Sequence, residues 1–502
     1  MRRREFAAAP LSLAAGPAPA ICRARGADGA PLPLEDLRRF HVCDQKLRPF
    51  PLRPEIEPGE VRFAPPDRPF RIGLTMVVPG FGHVMVYADN RGRGYTRDSL
   101  PQPLAFGSEA ARDRIACVRR LIEDCRRSGY DVPPGPRRRI EKAEAALGQA
   151  GGPGRELEAL AEALWAGEEL VVDRARQAIA RRGPRPGFLF GSNAFGYPRL
   201  GRPYAERFQA VFNYATLPFY LGPIEPVQGR PNYGNVEKIL DWLAGTEILA
   251  KGHPLVWFYP GTTPAWLHGK PFEEVRRLAL EHVRRSVSRF RRQIHVWDVI
   301  NEAHMQNVLG FTLEQQVEMT AAAARAAREA DPTCFRIVNC CCTWSDYMAR
   351  EPKLGQQSVY DYLVMVRQAG IEYEALGLQY YYAARDMVEI ERSLETFREF
   401  GKPVHITELG LPSSSEPVNN PFGQSTRYPW HGSQWSEGAQ ADWIEQFYTL
   451  AFSKPWIEAV TWWDLSDPAF IPHGGLLRSD LSPKEGYTRL ADLIRRWRSP
   501  AA

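Results

Sequence analysis

The chain has 502 residues, 44% apolar and 25% charged, which is the composition of a folded globular protein and excludes a disordered, collagenous or coiled-coil chain. At roughly 150 residues per domain, this length implies about three units, or two if one is a large barrel. Lys plus Arg number 64 against 59 Asp plus Glu, and a net charge of +5 is too weak for a nucleic-acid footprint.

At the N-terminus, Arg2, Arg3 and Arg4 head a mildly apolar, Ala-rich stretch with small residues around Ala18-Pro19-Ala20. This resembles a bacterial twin-arginine export signal, so residues 1–32 are assigned to a leader and the protein is expected to be secreted or periplasmic. No apolar run reaches 18 residues, and no transmembrane segment is expected. Residues 33–104 are rich in Pro and β-like, with a hairpin over Arg71–Val78 and His83–Ala88 around Pro79-Gly80-Phe81-Gly82. If this region is a carbohydrate-binding sandwich, Phe81, Tyr87 and Tyr95 are its stacking residues. The competing expectation is a domain that buttresses its neighbour. Residues 105–183 read as a helical segment or linker. Ile115, Val118, Ile122 and Cys125 recur at helical spacing between Ser108 and Gly129, and two more helices follow. The eight cysteines are spaced like neither a disulfide framework nor a zinc site, and Cys340 to Cys342 are expected as buried thiols.

From Gly187 short apolar runs alternate with helical stretches. Eight runs, at 187–194, 211–216, 248–257, 294–302, 335–340, 375–382, 403–410 and 459–467, predict an α/β fold, a (β/α)8 barrel spanning 187–498. An open doubly wound sheet would carry a Gly-rich phosphate fingerprint after its first strand, and GSNAFG is not one. In a barrel the functional groups lie at the C-terminal strand ends. The fourth run ends in Glu302 and the seventh in Glu408, so both carboxylates face one mouth. Paired carboxylates across a cleft are what glycosidic hydrolysis uses, one as acid and one as nucleophile or base.

The motifs at the other strand ends sharpen this reading. Residues 252–257 (GHPLVW), 297–303 (WDVINEA), Gly377-Leu378-Gln379, 406–409 (ITEL), and Trp463 with Asp467 together resemble glycoside hydrolase family 10, the β-1,4-xylanase family. The resemblance implies that Glu302 is the acid/base and Glu408 the nucleophile of a retaining double displacement, with Asn301 on the sugar 2-hydroxyl. It also implies carboxyls about 5–5.5 Å apart. His253, Gln379, Tyr381, Trp463, Trp257 and Phe258 are the expected substrate-binding residues. A raised pKa at the acid and an ionised nucleophile are expected, with Trp297, Trp463 and Gln379 as neighbours that set the difference.

Departures from the family pattern concern the sugar-holding shell. Thr216 is followed by Leu217-Pro218-Phe219-Tyr220, where the family keeps Glu, Asn and Lys; Phe258 and Tyr381 stand at family histidine positions; Gly410 replaces an Asp; and Asn339-Cys340-Cys341-Cys342 replaces N-D-Y-N. The expected partner is a β-linked polysaccharide or oligosaccharide, xylan-like by resemblance, with no cofactor and no metal. The alternative is a catalytically weakened, glycan-binding barrel. Phe219, Tyr220, Phe258, Trp266, Tyr380, Tyr381 and Tyr382 are the expected cleft walls.

Overall fold

The computed structural model describes residues 19–149, 152–350, 357–381, 385–419 and 428–498. Residues 1–18 of the expected leader, and Tyr382, lie outside them. Seven short strands open the described chain: β1 (Ala20–Arg23), β2 (His41–Cys43), β3 (Glu55–Glu57), β4 (Glu60–Phe63), β5 (Arg71–Val78), β6 (Gly82–Ala88) and β7 (Leu104–Ala105). They form two sheets, ordered β3-β4-β1-β7 and β2-β5-β6.

Strand β1 corrects the leader boundary. It pairs antiparallel with β4 and parallel with β7, and Ala20 and Cys22 are both buried. Residues 20–32 therefore belong to the folded domain. Four residues with alternating burial are too short a pattern to stand out from an Ala/Pro-rich leader.

Four helices follow the logic of the same core: α1 (Leu34–Leu37), α2 (Phe106–Arg127), α3 (Pro134–Gly148) and α4 (Gly152–Arg182). Ile115, Val118 and Ile122 of α2 and Leu157, Leu160 and Leu164 of α4 pack with Leu74, Met76, Val84 and Val86 of the hairpin in one apolar cluster. The expected β-rich domain and helical linker are thus a single N-terminal domain. The helices cover the hairpin face that would otherwise meet solvent, which removes the expected stacking platform. Phe81, Tyr87 and Tyr95 are all buried. Phe81 meets Trp165 of α4 at 4.9 Å, Tyr87 lies beneath the Arg71 guanidinium, and Tyr95 packs on Phe70.

The rest of the chain closes a parallel barrel of β8 (Leu189–Asn193), β9 (Tyr214–Pro218), β10 (Leu249–His253), β11 (Ile294–Asn301), β12 (Phe335–Cys340), β13 (Ala375–Tyr381), β14 (Val404–Gly410) and β15 (Ile457–Trp462). Closure is made by β15 pairing with β8 from Ala459↔Leu189 to Trp462↔Ser192. Alternation sorts the side chains. Trp297 packs outward on Phe219, with ring centroids 4.8 Å apart, while its neighbour Asp298 reaches the inward-lying Lys251 and His253. Gly252 permits that packing, because a Cβ there would lie 2.2 Å from the Trp297 indole.

The N-terminal domain is bolted to the barrel's flank and to loops at its mouth. Arg114 makes a bidentate pair with Asp386 at 2.6 and 2.9 Å, and Arg71 pairs with Glu389 at 3.1 Å, all four groups being buried. Asp386 also caps the helix Met387–Arg398 by accepting from the Val388 and Glu389 N–H groups. Removing one partner of such a buried pair costs about 3–5 kcal/mol. Nearer the mouth, His41 bonds Ser345 at 3.0 Å, and His431 bonds Glu168 at 2.8 Å and the Phe81 carbonyl at 3.1 Å. The loops after β12, β13 and β14 are therefore held from outside the barrel.

Candidate active site

Strand β11 delivers Glu302 through a sharp turn. Its φ is +53°, in the left-handed region that a side chain adopts at a cost of roughly 1–3 kcal/mol. The turn is held by the Glu302 N–H donating to the Asn339 carbonyl at 2.8 Å and the Asn301 N–H donating to the Val256 carbonyl at 2.9 Å. Gln379 of β13 donates to Glu302 Oε1 at 3.0 Å and lies 3.4 Å from Asn301 Oδ1. Burial raises the Glu302 carboxyl, opposed by hydrogen bonds from the Gln379, Cys341, Asn301 and Trp257 side chains.

Glu408 sits near the end of β14, paired in register with Gln379. Its Oε2 accepts from the Tyr381 hydroxyl at 2.8 Å and its Oε1 from Asn339 Nδ2 at 3.2 Å. Thr407 donates to Asn339 Oδ1 at 2.6 Å, which turns the amide so that its NH₂ faces the carboxylate. Behind them runs a buried row: Lys251 Nζ to Asp298 Oδ2 at 3.0 Å, Asp298 Oδ2 to His253 Nδ1 at 2.6 Å, and His253 Nε2 to Glu408 Oε1 at 3.8 Å. Burial opposes the Asp298 charge, but Lys251 and His253 outweigh it and hold that carboxyl below its usual range.

Burial pushes Glu408 up to about 7; His253 counteracts this and the nearby Glu302 charge adds to it. The expected contrast between a raised acid and a low nucleophile is therefore not found, and both carboxyls are raised. The physical reason is that both are buried, and the charge on Glu302 opposes ionising Glu408.

Aromatic rings line the mouth around this pair. Trp463 meets His253 edge-on at 5.1 Å, Tyr220 lies 5.5 Å from His253 and 6.0 Å from Trp257, and Trp257 stacks on Tyr259 at 4.6 Å. Tyr259 and Phe470 are the exposed aromatics of this rim, at 42% and 37%. Of the expected site residues, Glu302, Glu408, Asn301, His253, Gln379, Tyr381, Trp463 and Trp257 come together here. Phe258 instead turns into the core against Phe311 at 5.7 Å. Of the expected walls, Phe219 packs on Phe290 and Trp297, and Tyr380 bonds Ser393 between β13 and the helix layer. Trp297 faces the same outer layer, not the carboxyls. Strand alternation explains Trp297 and Tyr380, and Phe219 just beyond β9, since neighbours of inward residues point outward. Trp266 is partly buried outside β10 and donates to the Glu225 carbonyl.

Sequence reasoning missed Lys251, Asp298, Asn339, Thr407, Tyr259 and Phe470. A charged residue inside an apolar run, as in AKGH or WDV, was the available signal for the first two. A cavity of about 790 Å³ lies away from the carboxyls, between α2, α4 and the helix Met387–Arg398. Glu389 and Glu391 in its wall are paired with Arg71, Arg114, Arg174 and Lys454, and the three arginines join the two domains across it.

Comparison with known proteins gives the family. The model of glycosyl hydrolase family 10 matches residues 200–490, more than half of the chain. The chain belongs to glycosyl hydrolase family 10. Among relatives of this family 10 chain, endo-1,4-beta-xylanase B of Thermotoga neapolitana is 26% identical over 328 residues, covering 61% of this chain and 88% of the relative. An endo-1,4-beta-xylanase/feruloyl esterase of Xylanibacter ruminicola is 26% identical over 275 residues, covering 49% of this chain and 36% of the relative. The solved xylanase 10B of Thermotoga petrophila, in complex with xylobiose, is 20% identical with a TM-score of 0.49, over 65% of this chain and 98% of that one. Among the described residues, no group of three or more His, Cys, Asp or Glu side chains is arranged to hold a metal ion, and no helix is long and apolar enough to cross a membrane.

Proposed function

We propose that this family 10 hydrolase cleaves a β-1,4-xylan-type glycan with retention, using Glu302 as acid/base and Glu408 as nucleophile. The observation that carries the reading is the pair of raised carboxyls on β11 and β14, tied from β13 by Gln379 and Tyr381. Protonated Glu302 gives its proton to the glycosidic oxygen as a Glu408 oxygen bonds the anomeric carbon and the leaving group departs. Glu302, now a carboxylate, takes a proton from water, whose oxygen attacks the anomeric carbon and frees Glu408. Two inversions restore the β configuration. Tyr381 and Asn339 each hold one Glu408 oxygen, which limits rotation of the nucleophile and disperses its charge.

The xylan-type substrate rests on the names of the relatives. Asn301, with its amide oxygen beside Gln379, is assigned to the sugar 2-hydroxyl, and Trp463 to the floor under the reacting ring. Stacking on Tyr220, Trp257 and Tyr259 offsets the apolar end of β9, where Leu217 and Phe219 leave no polar side chain for the sugar. We assign residues 1–18 to an export leader, which places the enzyme with its polymeric substrate outside the cytoplasm.

The test is the configuration of the first product. Proton NMR of xylo-oligosaccharide hydrolysis shows the β anomer ahead of mutarotation if the reading is right. An initial α anomer overturns the double displacement, and binding of β-glycans without release of reducing ends would make the barrel a recognition protein.

A further inference from the structure

A third carboxyl stands in the mouth, and the displacement above does not use it. Asp464 follows Trp463 directly, just beyond β15, and is half-buried. Its Oδ1 accepts from Asn193 Nδ2, at the end of β8, at 3.0 Å, and its Oδ2 accepts from the Phe470 N–H at 2.7 Å. Tyr220 and Tyr381 both lie close enough to feel the charges of Asp464 and Glu408, so Asp464 shares a mouth with the nucleophile. Aromatic faces frame it: Phe195 meets Trp463 at 5.6 Å, and Phe470 meets Tyr381 at 5.3 Å.

A carboxylate has about four acceptor positions, and the protein fills two of them, one on each oxygen. The anchored group is held from two sides, by the end of β8 and by the loop beyond β15. We propose that Asp464 is a specificity-determining residue that accepts hydrogen bonds from two adjacent hydroxyls of a neutral sugar lying against Trp463. Two oxygens side by side match a vicinal diol, and the same charge repels a sugar carrying a carboxylate there. The group supplies, from β15, polar contact that the end of β9 lacks. This assignment rests on the hydrolase reading above.

Ionisation of Asp464 is poised by its surroundings. Burial raises it to about 6; the Phe470 N–H and Asn193 favour the charge, and Asp467 on the same loop opposes it. Tyr204, Tyr220 and Tyr381 are the other titratable groups facing it, and burial keeps all three protonated. Protonation below about pH 6 removes acceptor positions, so sugar affinity falls as the pH drops through that range.

The experiment compares Asp464→Asn with its parent. Xylotriose binding is measured by calorimetry in a Glu302→Gln background, and p-nitrophenyl β-xylobioside hydrolysis in the otherwise native enzyme. Asp464→Asn is expected to weaken xylotriose binding about 10- to 100-fold, as loss of a hydrogen bond to a charged group does, and to raise KM more than it lowers kcat. The parent is expected to lose affinity below about pH 6 relative to the variant, and the variant to gain relative affinity for xylo-oligosaccharides bearing a uronic acid. Unchanged affinity and unchanged pH dependence, with only a lower melting temperature, would show that Asp464 merely braces the loop and would overturn the proposal. If the parent binds xylotriose but wild type releases no product, the hydrolase reading falls while calorimetry still judges Asp464. If wild type cleaves only another β-glycan, the same comparison on that glycan decides. If it neither binds nor cleaves any, both readings fall.

Discussion

Glu302 and Glu408 stand three strands apart in the same mouth, in different company. Glu408 is held by a hydroxyl, an amide and an imidazole from three different strands, with a lysine and an aspartate behind them. Glu302 is met by the Gln379 and Asn301 amides, the Cys341 thiol and the Trp257 indole, on a backbone turned into the left-handed region. The first arrangement fixes a carboxylate in place and disperses its charge. The second surrounds a carboxyl with neutral donors and aims it into the cleft. The difference between the two sites therefore lies in the charged row behind Glu408 more than in burial, which they share.

Four outcomes would break or sharpen that contrast. The largest is expected from Glu408→Ala, which removes the attacking oxygen and should lower turnover of every β-glycoside by several orders of magnitude; residual activity that does not respond to the leaving group would refute the assignment. Glu302→Ala should slow xylan hydrolysis by about 10²- to 10⁴-fold yet leave glycosylation by an activated aryl glycoside far less affected, because a good leaving group needs no proton. Equal losses on both substrates would remove Glu302 from the acid role.

A stability effect follows from the burial of Glu408. Its folded pKa, about 7, lies above the ordinary value of 4.5, so the unfolded chain releases that proton first as the pH rises. The folded state should thus lose about 3 kcal/mol between about pH 4.5 and 7, a loss that Glu408→Gln lacks. Urea melts of the two proteins at pH 5 and pH 8 check this, and parallel profiles would contradict it. The smallest effect is expected from Tyr381→Phe, which leaves the ring and deletes one donor. It should cost about 10- to 100-fold in kcat/KM, expressed mainly in kcat. A change confined to KM would make Tyr381 a sugar contact instead of the group that holds the nucleophile.

The legible part of this molecule was the part written in short range. Each of the eight barrel strands announces itself as an apolar run, and Glu302 and Glu408 terminate two of them, so strand order and the carboxyl pair could be read residue by residue. The N-terminal region resisted because its sheet pairs distant, very short segments: nothing local marks Ala20–Arg23 as a strand until β4 and β7 lie on either side of it. Phe81, Tyr87 and Tyr95 resisted for a related reason. An aromatic ring serves a core and a sugar equally well, and only the covering helices decide between them.

Chain chemistry by itself determined the fold class, the family and the two carboxyls at strand ends, because periodicity and the residues at strand ends depend on neighbours within a few positions. Tertiary structure alone decided the company each carboxyl keeps. Asn339, Tyr381, His253 and Asp298 belong to four different strands, and their convergence is a property of barrel closure and register. It also decided that the N-terminal domain braces three mouth loops, and that Asp464 faces the same space as Glu408. Burial and hydrogen bonding are set by what the folded chain brings within a few ångströms, and no local pattern encodes that.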